Sequence, residues 1–212
     1  MIRTVDLSMK KMPRQRRAEV TVEAMIDAAS ELLATQPYDS VTTNRIAERA
    51  GVGIGSLYQY FPNKEAIVAR VVTYWVQDML EEVGNALSTS EQLPLEDAAF
   101  EVISALFRVA DRHRNKVHLI LEVIPFALQI PAVASLPRTL ATMSAHAQLS
   151  IRDRLHFTRP DAAYHVLLLM IRASIVETAL HCPPHLSRAE LERTIADFLA
   201  RIMAGNAAPA AA

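Results

Sequence analysis

Cysteine is nearly missing from this chain of 212 residues: Cys182 stands alone, so no intramolecular disulfide can form and a reducing cytoplasm is the expected setting. Five glycines and eleven prolines leave too few breaks for an all-β fold, which turns about every eight to twelve residues. No apolar run approaches the ~20 residues that span a bilayer as a helix. The most apolar run, residues 166–171, is far shorter, and Met1-Ile2-Arg3-Thr4-Val5-Asp6 lacks the apolar core of a signal peptide. Also missing are a glycine-rich phosphate loop and any serine or cysteine in a recognisable nucleophile setting. Catalysis, a cofactor, a metal and a membrane partner are not expected.

An apolar fraction of 51% with a charged fraction of 21% suits a globular chain with a sizeable core. Long stretches rich in Ala, Leu, Glu, Arg and Ile favour helix. The formal net charge is −1, but it is unevenly spread. Up to Arg17, six basic residues (Arg3, Lys10, Lys11, Arg14, Arg16, Arg17) face one acid, Asp6, which leaves −6 on the remainder. A basic arm ahead of an acidic body is an electrostatic footprint for a polyanion, and it is equally what a solvated tail looks like. Residues 1–19 lack periodicity and read as a flexible arm.

Apolar periodicity lays out an all-α fold of about nine helices. Val22, Met25, Ile26, Ala29, Leu32 and Leu33 share one face of a first helix over about residues 20–34, which Pro37 ends by disfavouring helix at Gln36. Thr42 caps a short second helix reaching Ala50, and Gly51 sits where a helix end favours a left-handed residue. A third short helix runs from about Ile54 to Tyr60 with Leu57 inward, before Pro62 and Asn63. A long fourth helix repeats Ile67, Val71, Trp75, Met79, Val83 and Leu87 at every fourth position. Further helices are expected over about residues 94–112, 116–129 (broken at Pro125), 134–157 and 160–182. A Ser187/Glu190 capping box opens the last, to about residue 205. The expected divisions are an arm (1–19), a helix-turn-helix domain (20–66), a larger helical domain (67–205) and a frayed tail (206–212).

Two short helices joined by a glycine-containing turn form the helix-turn-helix pattern, whose second helix enters the major groove. By periodicity alone, such a pair would also suit an ordinary all-α protein. The residues are more specific. Val41-Thr42-Thr43-Asn44-Arg45-Ile46-Ala47 through Gly51-Val52-Gly53-Ile54-Gly55-Ser56-Leu57-Tyr58-Gln59-Tyr60-Phe61-Pro62-Asn63-Lys64-Glu65 closely resembles the DNA-binding signature of the TetR family of bacterial repressors. Met25-Ile26-Asp27-Ala28-Ala29 through Leu32-Leu33 is similar to that family's first helix. The resemblance covers the first third of the chain and departs at Pro37, where the family usually has glycine.

The resemblance implies that Thr43, Ser56, Tyr58, Tyr60 and Lys64 grip phosphates, contacts that set register without reading sequence. It places Asn44, Arg45, Gly53, Ile54, Gly55 and Gln59 toward the bases. Asn and Gln can pair with adenine, Ile54 can touch a thymine methyl, and Arg45 suits a guanine edge or a phosphate. Gly-Ile-Gly offers few strong readers, so DNA shape or the basic arm in a minor groove is expected to add specificity.

Residues 160–182 are apolar nearly all round, so the helix must be covered on both sides. The resemblance implies that Leu167, Leu168, Ile171 and Ile175, with Leu191, Ile195, Phe198 and Ile202 of the last helix, meet a second copy. On the residues alone, the same side chains could close the protomer's core. It further implies an effector pocket drawn from Trp75, Met79, Phe100, Phe107, Ile124, Phe126, Met143, His146 and Met170, side chains that also suit plain core. Together these expectations describe a homodimeric repressor that a small hydrophobic effector releases from a palindromic DNA operator, with the long fourth helix as lever. Two alternatives stand beside it. His181-Cys182-Pro183-Pro184-His185 gathers possible metal ligands and would suit a metal-responsive regulator. A helical partner-binding protein without DNA function would explain the apolar helices.

Overall fold

Arg16–Thr35 contain neither glycine nor proline, and they form helix α1 in the computed structural model, which describes residues 5–90, 93–143 and 159–204. Its inner face buries Val22, Met25, Ile26, Ala28, Ala29, Leu32 and Leu33. The larger of these side chains contribute roughly 1.5–3 kcal/mol each relative to exposure in water. The helix begins a turn earlier than its apolar stripe, because Arg16, Arg17, Ala18 and Glu19 tolerate helix without adding to that face. Pro37 ends it as expected, leaving Gln36 extended at φ −142° and ψ 153°.

Every regular element among the described residues is helical. After a 3-10 turn at Tyr38–Ser40 come α2 (Thr43–Arg49), α3 (Ile54–Tyr60) and the long α4 (Lys64–Ser90). Then follow α5 (Leu95–Arg112) and α6 (Arg114–His118), which runs into a π turn at Leu119–Val123. There Ile124 N–H reaches the Leu119 carbonyl at 2.8 Å, and the residue is extended ahead of Pro125, which breaks the helix where expected. A 3-10 turn at Ala127–Gln129, α7 (Pro131–Ala134), α8 (Leu136–Met143), α9 (Pro160–His181) and α10 (Arg188–Ala204) complete the order. His146, most of the helix expected over 134–157 and the tail at 206–212 lie outside the described residues.

The chain divides into two units, residues 1–77 with 118–135 and residues 78–117 with 136–212. In the first, Met25, Ala29, Val41, Ile46, Leu57, Phe61, Ile67 and Val71 are almost wholly buried. Trp75 is buried too and donates its indole N–H to Ser30 Oγ at 3.1 Å. In the second unit, Ile103, Phe107 and Ala110 of α5 pack with Leu167, Ile175 and Ala179 of α9 and with Ala196 and Leu199 of α10. The capping box at α10 forms in both directions: Ser187 N–H to Glu190 Oε2 at 2.7 Å, and Glu190 N–H to Ser187 Oγ at 3.2 Å. Arg188 pairs with Asp111, donates to the Phe107 carbonyl at 3.1 Å and lies over the Phe107 ring, tying α10 to α5.

The residues expected at a dimer interface divide by depth. Leu167 and Ile175 are in the protomer's own core, with Ile171, Ile195 and Ile202 packed against it. Leu168 and Leu191 are half-buried, and Phe198 is 61% exposed. Val166, Leu169 and Met170 of α9 are also exposed.

Candidate nucleic-acid interface

The helix-turn-helix is assembled by local caps. Thr42 Oγ1 accepts the Arg45 N–H at 3.3 Å and opens α2. At the other end of α2, Gly51 adopts φ +67°, the left-handed conformation that a side chain disfavours. Its N–H reaches the Glu48 carbonyl at 3.1 Å, and the Val52 N–H reaches Ala47 at 2.9 Å. This pair of bonds is the Schellman arrangement, which satisfies carbonyls that α2 would leave open. It turns the chain directly into α3, seated by the fully buried Leu57 and Phe61.

Of the residues expected at bases, Asn44, Arg45, Gly53, Ile54, Gly55 and Gln59 are all exposed. Arg45 is not free: its guanidinium donates to the Ser40 carbonyl at 3.2 Å. A Cβ built at Gly53 or Gly55 would meet no atom within 4 Å, so α3 begins with bare, open backbone. Of the residues expected at phosphates, Tyr58 is exposed, while Thr43, Ser56, Tyr60 and Lys64 are half-buried. Thr43 Oγ1 and the Tyr58 hydroxyl lie 3.1 Å apart, which joins the start of α2 to α3 in one polar patch.

Lys64 opens α4, beside Asn63, whose Oδ1 caps the Ala66 N–H at 2.7 Å. Its ammonium donates to the Tyr38 carbonyl at 3.2 Å and stands 3.9 Å over the Tyr38 ring. Tyr38 is the residue that sequence reasoning misses, since its flanks read only as a short connector. Burial pushes its phenol up from 10.0 to about 12, with Glu65 and Asp39 adding to the shift.

The residues expected to hold an effector fall in different surroundings. Trp75, Ile124 and Phe126 are buried in the first unit, and Phe107 in the core of the second. Met79 and Met143 are half-buried; Phe100 and Met170 are 46% and 58% exposed. The possible ligands His181, Cys182 and His185 are exposed, with His181 beside Glu177. Asp78, Glu82 and His113 of the second unit do converge, with ligand atoms within 4.8 Å of one another. Their charges are already matched: Lys116 holds Asp78 at 3.0 Å, Arg112 holds Glu82 at 2.9 Å, and His113 Nε2 meets Glu82 at 2.8 Å. A cation would have to displace those partners, so this cluster is an ion network tying α4 to the end of α5.

Residues 25–71, which include the helix-turn-helix, match the family described as bacterial regulatory proteins, tetR family. The fatty acid metabolism regulator protein of Bacillus subtilis is 33% identical over 75 residues, 34% of this chain and 39% of that protein. The chain matches between 26% and 50% of the lengths of its curated relatives. Among solved structures, a TetR-family transcriptional regulator of Mesorhizobium loti superposes with a TM-score of 0.67 at 22% identity, over 90% of this chain and 98% of its own. The fatty acid degradation regulator FadR of Bacillus halodurans gives 0.62 at 12% identity, over 93% and 99%. At such identities the likeness establishes the fold, while the matched helix-turn-helix carries the kinship. Residues 25–71 thus carry the helix-turn-helix of the tetR family of bacterial regulatory proteins, on a fold shared with a solved regulator of that family.

Proposed function

We propose that this regulator is a homodimeric repressor that binds a palindromic operator and is released from it by a small hydrophobic effector. The observation that carries the DNA half is the joined patch of Thr43 and Tyr58 beside the open backbone at Gly53 and Gly55. In this reading Thr43, Ser56, Tyr58, Tyr60 and Lys64 hold phosphates, while Asn44, Ile54 and Gln59 meet base edges. Lys64 would exchange the Tyr38 carbonyl for a phosphate, and Arg45 would leave Ser40 to reach the DNA.

The dimer half rests on α9 and α10. The stretch Asp161–His181 is long and apolar enough by composition to cross a membrane, yet only 28% of its 18 most apolar consecutive residues are buried in one protomer. Arg172 and Glu177 are exposed on the same helix, and charges at that depth are costly in lipid. Coverage by a second copy, through Val166, Leu169, Met170 and Phe198, suits this face better. A two-fold dimer then calls for a palindrome whose half-sites are spaced by about one helical turn.

The effector class is supported by apolar composition, and by two relatives named for regulating fatty acid metabolism and fatty acid degradation. An effector that prefers the DNA-incompetent arrangement weakens operator binding by the same coupling free energy, typically ~1–3 kcal/mol.

The test is selection of duplexes from random sequence by the whole protein, followed by titration of the winners across a salt series. The expected winner is palindromic, bound tightly and salt-sensitively, and lost by a Tyr58→Phe, Lys64→Ala double variant. Recovery of no duplex above the random pool would remove the DNA reading. With a winner in hand, release by a fatty acyl thioester but not by its water-soluble headgroup supports the effector class; indifference to both would count against it.

A further inference from the structure

Over its described part, the basic arm makes hydrogen bonds to the helix-turn-helix. Residues 5–10 form no regular element and bend at Ser8 and Lys10, with Val5, Leu7 and Met9 half-buried and Asp6, Ser8 and Lys10 exposed in alternation. Three bonds from distant parts of the sequence hold them. Lys10 N–H donates to the Tyr60 carbonyl at 2.8 Å, Lys10 Nζ to the Tyr58 carbonyl at 3.2 Å, and Asn63 Nδ2 to the Asp6 carbonyl at 3.1 Å. Asp6 is itself braced by Ser8, whose N–H and hydroxyl donate to Oδ1 at 3.0 and 2.6 Å and hold the carboxyl below its ordinary range.

The place where Lys10 lands is informative. Helix α3 has only seven residues, and a helix that short is not stable by itself in water. Its last carbonyls have no partner within the helix beyond Phe61 N–H, which takes Leu57 at 3.0 Å. Lys10 takes two of the others, Tyr58 with its side chain and Tyr60 with its backbone N–H. Its ammonium also stands at the negative end of the helix, where a cation is favoured. The same residue therefore secures the end of the helix that carries Tyr58, Gln59 and Tyr60.

We infer that Lys10 is a positioning residue of the DNA-binding site: it clamps the C-terminal end of α3 and acts on DNA through that helix instead of neutralising a phosphate. The inference rests on the DNA-binding reading, but its two consequences can be separated from it. The clamp exists in the free protein, so it is visible without DNA. A lysine spent on carbonyls releases no counterion on binding, whereas each phosphate contact contributes about 0.9 to the slope of log affinity against log salt.

The experiment compares the whole protein with Lys10→Met and Lys10→Arg variants. Amide hydrogen exchange is measured on the free proteins, and salt-series titration is done with a duplex that the unmodified protein selects from random sequence. The Lys10 amide is expected to be protected, and Lys10→Met to speed exchange over residues 58–61. The same variant should weaken DNA binding about three- to tenfold, the loss typical of one such bond, with the salt slope unchanged. Lys10→Arg, which keeps a cationic donor, should recover most of the affinity. Exchange of the Lys10 amide at the rate of an unstructured peptide overturns the clamp, whatever DNA does. Unchanged affinity in Lys10→Met, or a slope lowered by about 0.9, overturns the positioning role. Failure of the unmodified protein to select any duplex sinks the DNA reading instead, and the exchange data then still decide whether the clamp exists.

Discussion

A single methyl group separates two glycines of the helix-turn-helix in their expected behaviour. Gly51 sits at φ +67°, so Gly51→Ala would meet no neighbour yet be strained in its own backbone. The expected cost is about 1–2 kcal/mol, read as a lower urea midpoint with unchanged slope. Gly55 lies inside α3, in open space and ordinary helical conformation. Gly55→Ala should therefore stabilise the fold by roughly 0.5–1 kcal/mol, because alanine loses less backbone freedom on folding. If DNA approaches that bare backbone closely, the same variant binds its selected duplex more weakly; equal or tighter binding would place the DNA elsewhere. Tyr38 supplies a pH signature. Its pKa is raised to about 12 in the folded protein, so its contribution to stability is complete below 10.0 and is lost as pH rises through about 12. An ultraviolet titration should show a late-ionising step that Tyr38→Phe removes.

At the scale of elements, α2 and α3 have seven residues each and depend on their ends. Thr42, the Schellman turn at Gly51 and the Lys10 clamp each satisfy backbone groups that two short helices cannot satisfy internally. Thr42→Ala is expected to cost about 1 kcal/mol of stability, measured by chemical unfolding. It should also weaken DNA binding, because Thr43 follows in the same first turn and holds Tyr58. A loss of stability with DNA affinity untouched would show that the Thr43–Tyr58 patch is not used.

Across the whole molecule, the unresolved demand is the outward face of α9 and α10. Phe198 and Met170 are more than half exposed in a single protomer, so changing them should leave its core intact. Sedimentation of the unmodified protein should give twice the chain mass, and a Met170→Glu, Phe198→Glu double variant should sediment as a folded monomer with weakened operator binding. A monomeric unmodified protein would remove the two-fold argument for a palindrome.

Much of this was readable in order along the chain because it is local. Helix caps, proline stops and the 3.6-residue stripe depend on neighbours a few positions apart, so α1 through α4, the break at Pro125 and the Ser187 capping box could be placed without a fold. The recognition signature is equally local, a run of residues whose order carries its meaning. What lies far apart in sequence had to wait for tertiary structure. Lys10 and Tyr58 are 48 positions apart, Lys64 and Tyr38 are 26, and no local pattern pairs them. An apolar helix such as α9 shows that it must be covered, but not which side faces its own protomer: Leu167 and Ile175 point into the core, while Val166, Leu169 and Met170 point out. Periodicity reports the need for burial; only packing against α5 and α10 decides which side chains receive it.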